Sequence, residues 1–192
     1  MRNIGLIGKA RAGKDTAAAH LVRTHAYTRL GFADPLKEMA LRVDPIIDTV
    51  GDDYGVTEYR LSEIVREDGW ESAKDNYPEV RRLLQQMGQT VREIDEDFWL
   101  GILLRKVAGA EKLNVPVVVT DVRYRNEAAA LRLAGFKLIR LTRPQQHGKS
   151  AALAAHASET DLDTFAADLN IVNAGSIEAL NAMIGAAAND FS

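Results

Sequence analysis

The sequence predicts a three-layer α/β protein, with a parallel sheet of about five strands covered by helices on both faces. Three observations carry that prediction. Short apolar runs alternate with stretches of helical periodicity across glycine-containing joints. The run Pro116–Asp121 is β-branched and lacks polar alternation, as in a strand buried on both faces. A small, basic, glycine-containing stretch separates the first apolar run from the first helical pattern.

Taken in order, Ile4–Ile7 is a strand stopped by Gly8, and Thr16–Thr24 is a helix in which Ala17, Ala18, Leu21 and Val22 recur at helical spacing. Tyr27–Phe32 is a weaker strand ending at Ala33-Asp34-Pro35. There Asp34 can cap, and Pro35 can open, a helix with the face Leu36, Met39, Ala40 and Val43. From Asp44 to Tyr77, Pro, Gly, Asp and aromatic residues break the periodicity over more chain than an ordinary α/β connection needs. An insertion with one or two short helices is expected. Pro78–Ile94 reads as a helix through Val80, Leu83, Leu84, Met87 and Val91, with Gly88 a kink or a point of close approach; Phe98–Ala110 is another. Pro116–Asp121 is expected at the sheet centre. Glu127–Leu133 then reads as a helix ending at Gly135, Phe136–Leu141 as a strand, Ser158–Phe165 as a short helix, Asp168–Val172 as a strand and Ser176–Ala188 as the closing helix. The whole reads as a single domain, residues 1–192, with a helical insertion at about 44–110 and a short lid at about 143–157.

Composition narrows the chemistry. The 192 residues include no cysteine, which removes disulfides, thiolate zinc sites, iron–sulfur clusters and cysteine nucleophiles and suits a reducing cytoplasm. With 24 Lys+Arg against 27 Asp+Glu, the net charge of -3 gives no bulk attraction to nucleic acid or an anionic membrane, so no stable binding to either is expected. The N-terminal apolar stretch is too short for a signal segment, and no run approaches the roughly 20 apolar residues of a membrane span. A soluble cytoplasmic protein is expected. His20, His25, His147 and His156 show no metal-ligand spacing, and no Ser/His/Asp nucleophile pattern occurs.

The stretch Gly8-Lys9-Ala10-Arg11-Ala12-Gly13-Lys14-Asp15-Thr16 matches the phosphate-loop pattern of Gly, four residues, Gly and Lys, between a predicted strand and a predicted helix. Glycines let successive N–H groups point inward, and the following helix adds its N-terminal dipole, so a polyphosphate is cradled by main chain. Lys14 then reaches the β- and γ-phosphates and is the first catalytic candidate. Asp15 stands where Ser or Thr usually ligates Mg²⁺. Asp15 can replace that hydroxyl, Thr16 can serve instead or donate to a phosphate, or Asp15 simply favours the helix N-terminus.

Six segments are then similar to one family. They are the loop ending Gly13-Lys14-Asp15-Thr16, Phe32-Ala33-Asp34-Pro35-Leu36-Lys37, Leu83-Leu84-Gln85-Gln86-Met87-Gly88, Asp97-Phe98-Trp99, Thr120-Asp121-Val122-Arg123-Tyr124-Arg125-Asn126-Glu127 and His156-Ala157-Ser158-Glu159-Thr160. In order and spacing they resemble the bacteriophage-type deoxynucleoside monophosphate kinases over nearly the whole chain. The resemblance implies transfer of the γ-phosphate of ATP, with Mg²⁺, to the 5′-phosphate of a deoxynucleoside monophosphate in the host cytoplasm. It also implies acceptor contacts in the segment containing Asp34 and Lys37.

Several residues fit both that chemistry and plainer roles. Arg123, just beyond the best strand, can grip an acceptor phosphate bidentately, or pair with Glu127 one turn on. Asp121 can orient a Mg²⁺-bound water and contact substrate, or cap the next turn. Asp34 fits a helix cap and Lys37 a solvated lysine. Arg82, Gln86 and Arg92, only partly on one helical face, can read a base or face solvent. Trp99 can stack on the nucleoside or belong to the core. Arg143, in the lid, can close over the donor phosphates, with Lys149 next. Rival readings are a kinase of another small acceptor, of the phosphomevalonate or dephospho-coenzyme A type, and a non-catalytic ATP-binding regulatory module. Base, sugar selectivity and a homodimer are left open.

Overall fold

The computed structural model describes residues 1–52, 55–144 and 161–191. In chain order the elements are β1 Ile4–Ile7, α1 Lys14–His25, β2 Thr28–Leu30, α2 Ala33–Val43, β3 Ile46–Asp52, β4 Gly55–Arg60 and α3 Leu61–Asn76. They continue with α4 Pro78–Ile94, α5 Phe98–Lys112, β5 Val117–Val122, α6 Arg125–Leu133, β6 Lys137–Thr142, β7 Leu169–Val172 and α7 Ile177–Asp190. The chain forms two compact units: Met1–Phe32 with Leu100–Ser192, and Ala33–Trp99.

The first unit is the expected α/β fold. Its five strands are all parallel, in the order β2-β5-β1-β6-β7. Ile4 pairs with Val118 on one side and Lys137 on the other, so β1 occupies the centre and β5 lies between β2 and β1. The expectation of a central Pro116–Asp121 strand is corrected to this extent. Its unalternating apolar pattern reports burial on both faces, which two neighbouring interior strands share.

One sheet face packs Ile4, Leu6, Val118, Ile139, Leu141 and Ile171 against Ala17, Ala18 and Leu21 of α1 and Leu180, Ile184 and Ala188 of α7. Full burial of each Leu or Ile there contributes about 1.5–3 kcal/mol. On the other face, Gly5 leaves room for Leu138 and for Leu131 of α6. Local chemistry sets the ends: Ser176 caps α7 by accepting from the Ala179 N–H at 3.3 Å, and Gly135 (φ 82) ends α6 in the left-handed region.

The second unit begins earlier and ends earlier than the expected 44–110 insertion. Leu36, Ala40 and Leu41 of α2 join Leu61, Ile64, Ala73, Val80 and Leu84 in one cluster, which draws α2 into this unit. Pro78 opens α4 at its first turn, and α3 kinks at Gly69 (φ 74). The unit is not wholly helical: β3 and β4 form an antiparallel hairpin from Ile46↔Arg60 to Asp52↔Gly55. Every residue of β4 is exposed, so no face of the hairpin carries the apolar alternation that would reveal it in the sequence. Asp161–Phe165, the described part of the expected 158–165 helix, is turn and bend, and residues 145–157 of the expected lid lie outside the described residues. Among the described residues no helix is long and apolar enough to cross a membrane.

Candidate active site

Because all five strands run the same way, their carboxyl ends lie along one edge, where open α/β sheets bind ligands. That edge gathers Gly8–Thr16 after β1, Asp121 and Arg123 at the end of β5, Arg143 after β6 and Asn173 after β7.

The loop is built for close approach. At Gly8 (φ 142) a Cβ would sit 2.2 Å from the Leu141 carbonyl oxygen, and at Gly13 (φ 102) one would sit 2.6 Å from Asn173 Nδ2. Only glycine fits either position. Arg11 adopts φ 62, uncommon for a residue with a side chain, and the Ala12 N–H closes a turn onto the Lys9 carbonyl at 3.2 Å. Gly13 is the N-cap of α1, whose first regular bond runs from the Ala17 N–H to the Gly13 carbonyl at 3.0 Å. The first turn of α1, with Lys14, Asp15 and Thr16, therefore faces the loop with its dipole's positive end. Lys14 Nζ folds over the loop and donates to the Gly8 carbonyl at 2.6 Å and the Lys9 carbonyl at 2.9 Å. A loop packed closely at Gly8 and Gly13, with an ammonium held across it, fits a polyphosphate.

Lys9 also meets Asp163, in an exposed pair at 3.6 Å that is easily exchanged for a ligand. Ala10 and Arg11 are exposed, and Ala12 is buried beneath the loop. Asp15 is exposed and Thr16 half-buried. At the end of β5, Asp121 Oδ1 accepts the Phe32 N–H at 2.8 Å, which ties β5 to the chain leaving β2. The bond fixes the direction of one oxygen of that carboxylate. Next to it, Thr120 is 2% exposed and its hydroxyl has no hydrogen-bond partner among the described residues. A bound water or phosphate oxygen would satisfy that hydroxyl.

Arg123 is exposed at the edge. The buried Glu127 accepts the backbone N–H of Arg123 at 2.9 Å and of Tyr124 at 3.1 Å, so it caps α6 through main chain. Glu127 thus meets Arg123 at least through its main chain. Arg143 is exposed just after β6. Arg140 instead binds the Leu162 carbonyl at 2.8 Å and the Phe165 carbonyl, anchoring the turn that re-enters β7. Asp161 serves that turn by accepting the Arg125 N–H at 2.7 Å.

The remaining expected substrate residues lie in the second unit. Asp34 falls inside the first turn of α2 rather than at its cap, because the helix already begins at Ala33. The Lys37 ammonium lies 5.4 Å from the Trp70 ring centroid, a cation–π contact. Arg82 and Gln86 are brought together, Nη1 to Oε1 at 3.0 Å, and Arg82 Nε also binds Glu79 at 2.7 Å. That hydrogen bond holds Glu79 below the usual carboxylate range. Arg92 is half-buried further along α4. Trp99 is 5% exposed and its indole donates to the Gly88 carbonyl at 3.3 Å, so packing, and not a face open for stacking, is its role here. Gly88 is a close approach without a kink: a Cβ there would meet Leu36 at 3.2 Å. A hollow of about 210 Å³ beside β4 and α3 is lined by Glu58, Glu63, Glu67 and Asp68 with Tyr59 and Tyr77. Its carboxylates repel phosphates, so it is not the nucleotide site.

Sequence reasoning missed Asn173. It is 7% exposed and donates Nδ2 to the Ala12 carbonyl at 3.0 Å. A lone Asn after a strand carries no local signal of a partner so far back in the chain.

Fold and loop together are those of a phosphate-loop α/β protein. The solved dephospho-coenzyme A kinase from Campylobacter jejuni superposes over 100% of this chain and 97% of its own, with a TM-score of 0.54 at 12% identity. The sequence profile of the deoxynucleotide monophosphate kinase family matches residues 45–184, and the chain belongs to that family. A protein of Acanthamoeba polyphaga mimivirus, provisionally named a deoxynucleotide monophosphate kinase, is 28% identical over 187 residues, covering 91% of this chain and 90% of its own length. An uncharacterised protein of Ictalurid herpesvirus 1, ORF76, is 27% identical over 116 residues; the match takes in 58% of this chain and 47% of the herpesvirus protein.

Proposed function

We propose that the protein transfers the γ-phosphate of ATP to the 5′-phosphate of a deoxynucleoside monophosphate, yielding the diphosphate and ADP. The observation that carries the donor half is the position of Lys14 across a loop whose Gly8 and Gly13 leave no room for a Cβ. Family membership supports the acceptor class.

An acceptor phosphate oxygen attacks the γ-phosphorus as the bond to the β–γ bridging oxygen breaks. The acceptor oxygen is already anionic near neutral pH, so no strong general base is needed. Lys14 and the N–H groups of residues 8–16 meet the charge that spreads over the transferring group. Lys14 exchanges its two carbonyl partners for phosphate oxygens. Arg123 grips the acceptor phosphate, and Arg143 closes on the donor phosphates and excludes water. Mg²⁺, when bound with the nucleotide, neutralises charge on the donor phosphates. Asp15, Thr16 and Asp121 would hold it, directly or through water. Asp34, Lys37, Arg82, Gln86 and Arg92 serve the acceptor.

The test is ATP-dependent conversion of a panel of deoxynucleoside and ribonucleoside monophosphates, with phosphomevalonate and dephospho-coenzyme A alongside, by wild type and Lys14→Ala. Product from at least one deoxynucleoside monophosphate, reduced about a hundredfold or more in the variant, is the expected result. Product from another acceptor alone would replace the substrate assignment. ATP binding with no product from any acceptor would favour a regulatory module.

A further inference from the structure

We infer that Asn173 is a positioning residue for the phosphate loop: by holding the Ala12 carbonyl, it fixes the direction of the Gly13 N–H toward the bound phosphates. The inference rests on the ATP-dependent kinase reading above and adds to it a residue outside the loop.

The argument starts from the peptide bond. In a planar trans peptide the carbonyl of one residue and the N–H of the next point opposite ways. Asn173 Nδ2 donates to the Ala12 carbonyl at 3.0 Å on the buried side of the loop, where Ala12 is 3% and Asn173 7% exposed. The Gly13 N–H is thereby aimed away from the buried side, toward the cradle. The alternative orientation is sterically open at this peptide, because Gly13 at φ 102 has no Cβ to bar rotation. A flipped peptide would point a carbonyl oxygen at the phosphates and remove one N–H from them. A loop of small residues needs an external latch to choose between the two.

Asn173 is well placed to be that latch. Its own N–H donates to the Thr142 carbonyl at 2.7 Å, which fixes it to the end of β6 as well as to β7. A Cβ on Gly13 would lie 2.6 Å from Nδ2, so the amide fills the space that the glycine leaves. The bond joins positions 161 residues apart, and so sets the loop against the sheet instead of against its own neighbours.

The experiment uses the full chain and measures ATP affinity calorimetrically with Mg²⁺ and no acceptor, then KM for ATP and for the acceptor nucleotide. Asn173→Ala should weaken ATP binding about tenfold, as for a buried carbonyl left without its donor, and leave the acceptor KM within about twofold. Asn173→Asp keeps the shape but sets a carboxylate against the Ala12 carbonyl. Its ATP affinity, taken relative to wild type, should be lower still at about pH 8 and should recover toward about pH 5, as the introduced carboxyl gains a proton it can donate. Asn173→Ala should show no such recovery.

Normal ATP binding by both variants would overturn the inference, as would equal losses for donor and acceptor. So would an Asn173→Asp protein with no recovery on acidification, or variants that are unfolded at room temperature by circular dichroism, since the bond would then serve the whole fold. Wild-type protein unable to bind ATP would sink the kinase reading itself and this inference with it.

Discussion

Replacing Gly8 with alanine tests whether the loop is shaped by steric exclusion. The new Cβ would lie 2.2 Å from the Leu141 carbonyl oxygen, where ordinary contact begins near 3.4 Å, and that oxygen belongs to backbone near the carboxyl end of β6. No rotamer change relieves the clash, so β1 and β6 must separate locally. A side chain at φ 142 adds backbone strain of about 1–3 kcal/mol, and overpacking with a backbone shift adds about 1–3 kcal/mol more. A total near 4 kcal/mol lowers Tm by roughly 8–16 °C in a domain of this size. Displacement of the loop also weakens ATP binding by at least about tenfold. Thermal unfolding by circular dichroism and calorimetric ATP titration read the two effects separately. Gly109→Ala is the control: a Cβ there meets nothing within 4 Å in α5. Better helix propensity, about 1 kcal/mol, should raise Tm by roughly 2–4 °C. A Gly8→Ala protein that melts and binds ATP like wild type would refute the reasoning.

Two further outcomes follow from the same geometry. Arg123→Ala should raise the acceptor KM by about tenfold or more with ATP affinity unchanged, and Arg123→Lys should not restore it, because an ammonium lacks the two-pronged grip; steady-state kinetics with each substrate varied decide this. Burial pushes the Asp168 carboxyl up, but the Leu138 N–H at 2.9 Å, Lys137 at 3.3 Å and Arg132 at 3.6 Å outweigh it and hold the group below the usual carboxylate range. Its contribution is therefore present above about pH 4 and lost as pH falls further. Asp168→Asn should cost about 1 kcal/mol at pH 7, and the gap from wild type should narrow in melts near pH 3; a constant gap would count against the ion pairing.

How much of this was legible in the sequence depended on how local the cause was. α4 runs from Pro78 to Ile94 as its periodicity and opening proline require, and the glycine spacing of the loop reports the Cβ-free positions that the structure needs. The hairpin was not legible, because alternation marks a strand only when one of its faces is buried, and β4 is exposed on both. Trp99 was ambiguous until the Gly88 carbonyl supplied its partner 11 residues back. For Asp121 the sequence offers a capping or metal role, whereas the observed acceptance from Phe32 comes from strand order, which spacing along the chain does not encode. The same holds for Asn173. Candidate residues were legible where chemistry and backbone conformation coincide in one short segment, and illegible where the fold carries a partner in from far away.

The central place of β1 has a consequence for how the molecule is made. The strand that leads into the phosphate loop is synthesised well before its hydrogen-bonding neighbours, which lie among residues 117–122 and 137–142. Asn3 waits for Val117, 114 positions later, and Ala12 waits for Asn173. Loops of that length close slowly. The cradle is therefore among the last parts of the chain to take shape, and a nascent or truncated polypeptide holding all of Gly8–Thr16 but lacking β7 has the motif without the geometry. Competence to hold a nucleotide is thus a property that arrives with completion of the sheet.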